Sequence, residues 1–272
     1  MARGELRLQV EGIARFRICG GEHIAFEPWQ GDGEEQDLRT YLLGSAVGAL
    51  LIQRGMLVLH GNALEREGQA IVCLGHSGAG KSTLAYALMQ QGWGLLADDL
   101  VAITTEGLVL PGIPRIKLWL DALEAFGLDP QALQPISKGM NKYVLMGGNV
   151  RPARRPVPLR TLYLIAPRRL EEGAALMPRI CPIQSQKEAL VTLRNQAFRP
   201  SFLRGLGQEG PNFLALAQLQ RQVPLATLTL PTSIGAMQHC LADQDLLQAA
   251  WAGHGKTLVR GVDVSGFADF VH

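Results

Sequence analysis

Neither sign of charge is in excess in this chain. Lysine and arginine total 26 against 24 acidic residues, a formal net charge of +2 over 272 residues. That excludes the polybasic footprint with which nucleic-acid binders neutralise phosphates. It equally excludes an acidic, solvated tail protein. Cysteine is scarce: Cys19, Cys73, Cys181 and Cys240 lie far apart, which leaves no metal knuckle or redox pair. Cys73 falls in an apolar run and reads as a small core residue. Long apolar runs are missing too. The longest, Tyr41 to Ile52, is broken by Gly44, Ser45 and Gly48 and is too short to span a bilayer. Met1 to Val10 carries charges and no continuous apolar region, so no signal peptide is read there. These absences lead to the expectation of a soluble, cytoplasmic protein with reduced thiols, acting on neither membrane nor nucleic acid. Lysine itself is rare, six of the 26 cations, so a lysine inside a motif carries information. The arginine-rich usage fits phosphate or carboxylate recognition, and fits coding bias as well.

What the chain does have is 47% apolar and 18% charged residues, enough to bury a sizeable core. Leu6 to Phe26 alternates apolar and polar residues, which predicts short strands. Pro28 to Glu35 is a turn-rich break, and Asp37 to Gln53 reads as a helix with Gly55 just past its end. Met56–Leu64 and Gln69–Leu74 are apolar runs around a turn at Glu65–Gly68. A helix is expected over Lys81–Gln91 and ended by Gly92. A buried strand follows over Gly94–Asp99, then a hairpin-like pair over Val101–Ile103 and Leu108–Leu110. Ile113–Leu118 reads as a further strand and Asp121–Phe126 as a short helix. Gly127 to Pro156 is rich in glycine, proline and arginine and is expected to be a mobile loop or lid. Thr161–Ile165 and Pro224–Leu230 read as strands; Ser185–Gln196, Asn212–Gln222 and Thr232–Trp251 read as helices. The expected organisation is a small α+β region over 1–55, an α/β catalytic domain over 56–252, and a tail over 253–272.

Gly75-His76-Ser77-Gly78-Ala79-Gly80-Lys81-Ser82 matches the phosphate-loop pattern G-x-x-x-x-G-K-[ST] at every position. A backbone that wraps a phosphate turns its N–H groups inward, which requires positive φ; Gly75, Gly78 and Gly80 adopt it without a Cβ clash. The helix opening at Lys81 points its positive dipole end at the same anion. Lys81 supplies a point charge for the β and γ phosphates, and Ser82 a hydroxyl for Mg²⁺. Thr83 completes the segment expected to hold the nucleotide. An apolar strand before the loop and a helix after it give the context the motif requires.

Asp98 and Asp99 end the strand Leu95-Leu96-Ala97, 16 positions beyond Ser82. If that strand lies beside the phosphate-loop strand, its carboxyl end opens on the same crevice. One acid is then placed to hold a metal and the other to accept a proton. His60, followed by Gly61, either faces that crevice or is a satisfied core residue. His76 is expected to point outward. Arg115 and Lys117 share one strand face, which reads either as an anion-binding face or as a charged sheet edge. Lys142, Arg151, Arg154 and Arg155 lie in or near the expected lid.

The run His60-Gly61, Gly75 to Ser82, and Ala97-Asp98-Asp99, in this order and spacing, resembles the catalytic core of the HPr kinase/phosphorylase family. The resemblance covers about Leu57 to Ile103 and loosens through Trp119. It implies a P-loop mixed sheet with flanking helices, akin to the core of phosphoenolpyruvate carboxykinase. It implies transfer of phosphate from ATP, with Mg²⁺, to a serine hydroxyl of a protein or peptide, and a homo-oligomer of unknown order. Under it, Asp98 is the metal partner with Ser82, Asp99 the proton acceptor, and His60 a phosphate-site residue. Arg115, Lys117 and Lys142 are the candidates for the acceptor. Three departures stand out: about 55 residues precede the His60 strand where the family has a longer N-terminal domain, and neither the glycine-rich signature after the Asp pair nor the C-terminal loop motif is recognisable. The chain is thus more similar to short relatives resembling kinases that modify a serine in a biosynthetic precursor peptide, such as a lasso-peptide precursor. A small-metabolite kinase and a non-catalytic nucleotide-binding regulator are the alternatives.

Overall fold

The computed structural model describes residues 4–29, 35–166 and 179–242. The expected tail over 253–272 and the end of the Thr232–Trp251 helix lie outside them. The chain opens with an antiparallel meander of β1 (Glu5–Val10), β2 (Ala14–Cys19) and β3 (His23–Pro28). Period-two alternation buries Ala14, Phe16 and Ile18 on one face and leaves Arg15 and Arg17 outside. The helical stretch then runs as α1 (Glu35–Tyr41), one π-helical turn (Leu42–Ala46) and α2 (Val47–Gln53). It covers the meander through Ala46, Ala49 and Ile52, and the same cluster includes Val58, Ala197 and Phe202. Gly48 is there because a Cβ would overlap the Phe198 ring.

Next come β4 (Leu57–Leu59), β5 (Gly61–Arg66), β6 (Gln69–Leu74), α3 (Lys81–Gln90), β7 (Gly94–Asp98), β8 (Val101–Ile103) and β9 (Leu108–Val109). They are followed by β10 (Arg115–Trp119), α4 (Leu120–Ala125), β11 (Gln134–Pro135), β12 (Lys142–Met146), β13 (Val157–Ile165) and β14 (Arg179–Pro182). The described chain ends with α5 (Gln186–Asn195), α6 (Pro200–Gly205), α7 (Glu209–Gln222), β15 (Leu225–Thr229) and α8 (Ile234–Ala242).

The large sheet is mixed, ordered β4-β8-β9-β13-β6-β5-β7, with β15 also on β13 and β14 on β15. The β6–β13 and β13–β15 pairs are parallel and the others antiparallel. Successive residues of β6 feed opposite faces. Ile71 and Cys73 pack with α3, α4 and α8, whereas Ala70, Val72 and Leu74 pack with α5 and α7. This makes an α/β protein with helices on both faces of the sheet. A parallel strand buried on both faces reads as a continuous apolar run, as β6 does. α3 is enclosed on most sides, from Leu84 to Met89; truncating Leu84 to Ala there costs about 2–5 kcal/mol.

Two arrangements differ from the sequence-based expectations. β5 lies between β6 and β7, so the Asp-bearing strand is one strand removed from the phosphate-loop strand. Both are antiparallel to β5, so their carboxyl ends still open at the same end of the sheet. The 127–156 segment is also not a structureless loop. β12 pairs along all of β10, β11 pairs with β12, and Leu145 is fully buried. Arg151 to Ala153 runs along the outer edge of β7, with Leu95 N–H donating to Arg151 O (2.7 Å) and Ala153 N–H to Leu95 O (2.8 Å). Glycine-rich turns flank a short apolar run, Tyr143-Val144-Leu145, and that run decided the structure. Among the described residues no helix is long and apolar enough to cross a membrane.

Candidate active site

The loop after β6 begins at Gly75, and positive φ occurs at Gly75 (142°), Gly78 (80°) and Gly80 (99°). At Gly75 a Cβ would also approach Ile165 O at 3.1 Å, so both conformation and space demand glycine. Lys81 opens α3 and is buried, its Nζ donating to Gly75 O (2.8 Å) and His76 O (3.0 Å). Burial pushes the Lys81 ammonium below the usual lysine range, against the pull of Asp99 and Asp98. His76 is exposed, while Ala79 is buried beneath the loop.

Asp98 closes β7 directly opposite Asn62 of β5. The Asn62 Nδ2 donates to Asp98 Oδ1, Ser82 Oγ donates to the same oxygen (3.2 Å), and Lys117 N–H donates to Oδ2 (2.9 Å). Burial, then the neighbouring Asp99 charge, pushes the Asp98 carboxyl up to about 7, with the Lys117 N–H acting the other way. Asp99 is turned away by a left-handed backbone, φ 67°. Its Oδ2 pairs with Lys117 Nζ at 2.5 Å. Burial opposes ionisation of Asp99, yet the Lys117 charge and hydrogen bond hold it below the usual carboxylate range.

His60 sits between β4 and β5. Its Nδ1 lies 3.1 Å from Asp99 O; a carbonyl only accepts, so Nδ1 carries the proton and Nε2 presents a lone pair. Burial, then the Lys81 charge, pushes His60 below the ordinary histidine range. Gly61 is forced by close approach, since a Cβ would meet Cys73 O at 2.6 Å.

One cavity is lined by His60, Ser77, Gly78, Gly80, Lys81, Ser82, Thr83, Asp99, Lys117 and Lys142, together with Leu118, Trp119 and Asp121. Most of the residues expected at the site therefore converge. Asp98 is half-buried and does not line the cavity, being held by Ser82 and Lys117, and Arg115 lies outside the lining too, at the start of β10. Lys142 Nζ lies 5.5 Å from the Trp119 ring centroid, a cation–π contact. Arg151 is occupied along the β7 edge through its carbonyl.

The sequence reading missed four residues. Asn62 had a signal, a lone amide in an apolar strand two positions after His60. Trp119 and Asp121 had none beyond proximity to Lys117. Gln196 had no local signal, yet its Oε1 accepts from Gly75 N–H (3.1 Å) and its O accepts from His60 N–H (2.9 Å). One buried glutamine thus ties the loop to the His60 turn.

No protein-family model matches the chain. Over 48 residues the chain is 42% identical to the HPr kinase/phosphorylase of Chlorobium phaeovibrioides. That stretch is 18% of this chain and 14% of that protein's length. Among solved structures, the Hpr(Ser) kinase/phosphatase from Coxiella burnetii is similar at 14% identity and a TM-score of 0.31, covering 71% of this chain and 98% of that one.

Proposed function

We propose that this protein is an ATP- and Mg²⁺-dependent kinase that transfers the γ-phosphoryl group to a serine hydroxyl of a protein or precursor peptide in the cytoplasm. The observation that carries this reading is that Lys81, Ser82 and Asp99 line one cavity at the carboxyl ends of β6 and β7, with Asp98 accepting from the Ser82 hydroxyl. The resemblance to HPr kinase/phosphorylase supports it.

The loop residues Gly75 to Thr83 would hold the triphosphate, with backbone N–H groups and the α3 dipole facing it. The Lys81 ammonium, now spent on two loop carbonyls, has anionic oxygens as its stronger partners. Ser82 and Asp98 would hold Mg²⁺, which neutralises charge on the phosphates. The donor set fits such an ion: all ligating atoms are oxygens, and Asn62 Oδ1 beside Asp98 is buried without a hydrogen-bond partner. Among the described residues no group of three or more His, Cys, Asp and Glu is placed to hold a metal. That suits Mg²⁺, which takes one or two protein ligands and completes its shell with phosphates and water.

Asp99 is the proton acceptor in this reading. Lys117 occupies Oδ2, which leaves Oδ1 for the serine hydroxyl. The serine oxygen bonds to the γ phosphorus, the bond to the leaving ADP oxygen breaks with its electron pair, and the proton passes to Asp99. Lys142 and Lys117 would neutralise the developing charge, and His60 would offer Nε2 as an acceptor. The test is intact-mass analysis of serine peptides and of free hydroxyl metabolites incubated with the protein and Mg·ATP. A phosphate gain on peptides supports the reading. A gain on metabolites alone overturns the acceptor class.

A further inference from the structure

The proposal that follows rests on the kinase reading and concerns what the acceptor looks like. The cations around the acid pair are not equivalent. Lys81 is tied to the loop carbonyls and Lys117 to Asp99. Lys142 lines the cavity, and its charge reaches Lys81, both acids and His60. Arg115 is different. It is half-buried, its charge acts on Asp99 and Asp98, and it is repelled by Arg39 of α1. Among the described residues its guanidinium has no hydrogen-bond or ion-pair partner. Arg39 pairs with the exposed Glu35 one turn earlier (2.6 Å). A half-desolvated, unpaired guanidinium that also feels the charge of a second arginine is an arrangement that an incoming anion stabilises.

The surroundings extend this point into a face. In the β10–β12 ladder Arg115 pairs with Met146, Lys117 with Val144, and Trp119 with Lys142. Paired and alternate positions share one side of a sheet. The opposite side, Ile116, Leu118 and Leu145, is in the core. The outer side leaves Trp119 43% and Met146 55% exposed and joins the cavity at Lys117 and Trp119. Large apolar groups left open beside a catalytic pocket and interleaved with cations mark a surface for a partner that is both acidic and apolar.

We propose that this face docks the acceptor segment, with Arg115 and Arg39 receiving the carboxylate of an acidic residue, and Trp119 and Met146 packing on apolar side chains. Arg115 lies two residues along β10 from Lys117, the partner of Asp99, a separation of about 7 Å at the rise of a strand. An extended acceptor therefore carries its acidic residue about two positions from the phosphorylated serine.

Serine-centred heptapeptides with Glu, Ala or Lys placed two positions from the serine, on either side, test this. Equilibrium binding to the full chain is read by fluorescence polarisation, and phosphate incorporation with Mg·ATP is read in parallel. The expected result is binding of a Glu peptide about tenfold tighter than its Lys counterpart. That preference is retained in Arg115→Lys and abolished or reversed in Arg115→Glu. Arg39→Glu, on an exposed helix position, weakens the preference without threatening the fold. Equal binding of the Glu and Lys peptides, or a preference untouched by both charge reversals, overturns the proposal. Loss of nucleotide rather than peptide binding in Trp119→Ala overturns it too, by assigning the face to the nucleotide. A charge-dependent preference without phosphate incorporation supports the docking face and contradicts the kinase reading, so the two fail separately.

Discussion

Asn62 and Asp98 face each other across the β5–β7 ladder, and the Asn62 amide donates to the same carboxylate oxygen that accepts from Ser82. Asn62 is fully buried, so its orientation is fixed by packing rather than by solvent. In the proposed reading it acts on a bound ion through Asp98, as a positioning residue. Groups that orient a ligating carboxylate change metal affinity by about 10–100-fold when removed. Asn62→Ala is therefore expected to weaken Mn²⁺ binding, followed by electron paramagnetic resonance, by about tenfold or more. Unchanged Mn²⁺ affinity in a folded Asn62→Ala protein removes the role.

The two acids are expected to separate on substitution. Asp99→Asn keeps nucleotide binding and loses turnover, because a neutral amide accepts no proton. Asp98→Asn raises the Mg²⁺ requirement instead. Steady-state kinetics over a Mg²⁺ titration distinguishes them. If Asp98→Asn alone stops turnover at saturating Mg²⁺ while Asp99→Asn does not, the roles are the reverse of those proposed.

Stability should carry the signature of Asp98. In the folded protein its carboxyl is pushed up to about 7, against an ordinary value of 3.8. Between those values the folded state holds a proton that the unfolded state has lost, so the group's contribution is fully present below pH 3.8 and is lost as pH rises through about 7. Urea melts without divalent cations are expected to show the protein losing stability relative to Asp98→Asn between pH 5 and pH 8. A difference that does not change over that interval contradicts the raised Asp98 carboxyl described above.

A fold-level test lies at Gly48. A methyl there meets the Phe198 ring, and overpacking of this kind costs about 1–3 kcal/mol. Gly48→Ala should lower the thermal midpoint, even though alanine is the better helix former. A raised midpoint would mean that α2 does not pack on Phe198 as described.

Local patterns made much of this legible. The phosphate loop, its strand and its helix are contiguous, and two of the loop's three positive-φ glycines, Gly75 and Gly80, are positions the motif fixes. The acid pair was readable because it ends an apolar strand. What escaped were relationships between distant segments. Gln196 meets Gly75 across 121 positions, and no local feature marks a glutamine at a helix end. Arg39 and Arg115, 76 positions apart, act on each other only through the fold. The insertion of β5 between β6 and β7 was invisible for the same reason. The 127–156 segment was misread because its glycines and prolines outweighed five residues of strand, Lys142 to Met146. β14 and α6 were missed as well, being too short to show a period.

The central claim is that the Gly75–Ser82 loop and the acid pair together move a phosphoryl group. Intact-mass analysis of a serine peptide incubated with Mg·ATP, comparing the unaltered protein with Lys81→Ala, tests it most directly. The account predicts a phosphate gain with the unaltered protein and none with a folded Lys81→Ala protein, since the buried ammonium is the loop's contact to the transferred group. Transfer within tenfold of the unaltered rate in Lys81→Ala would contradict it.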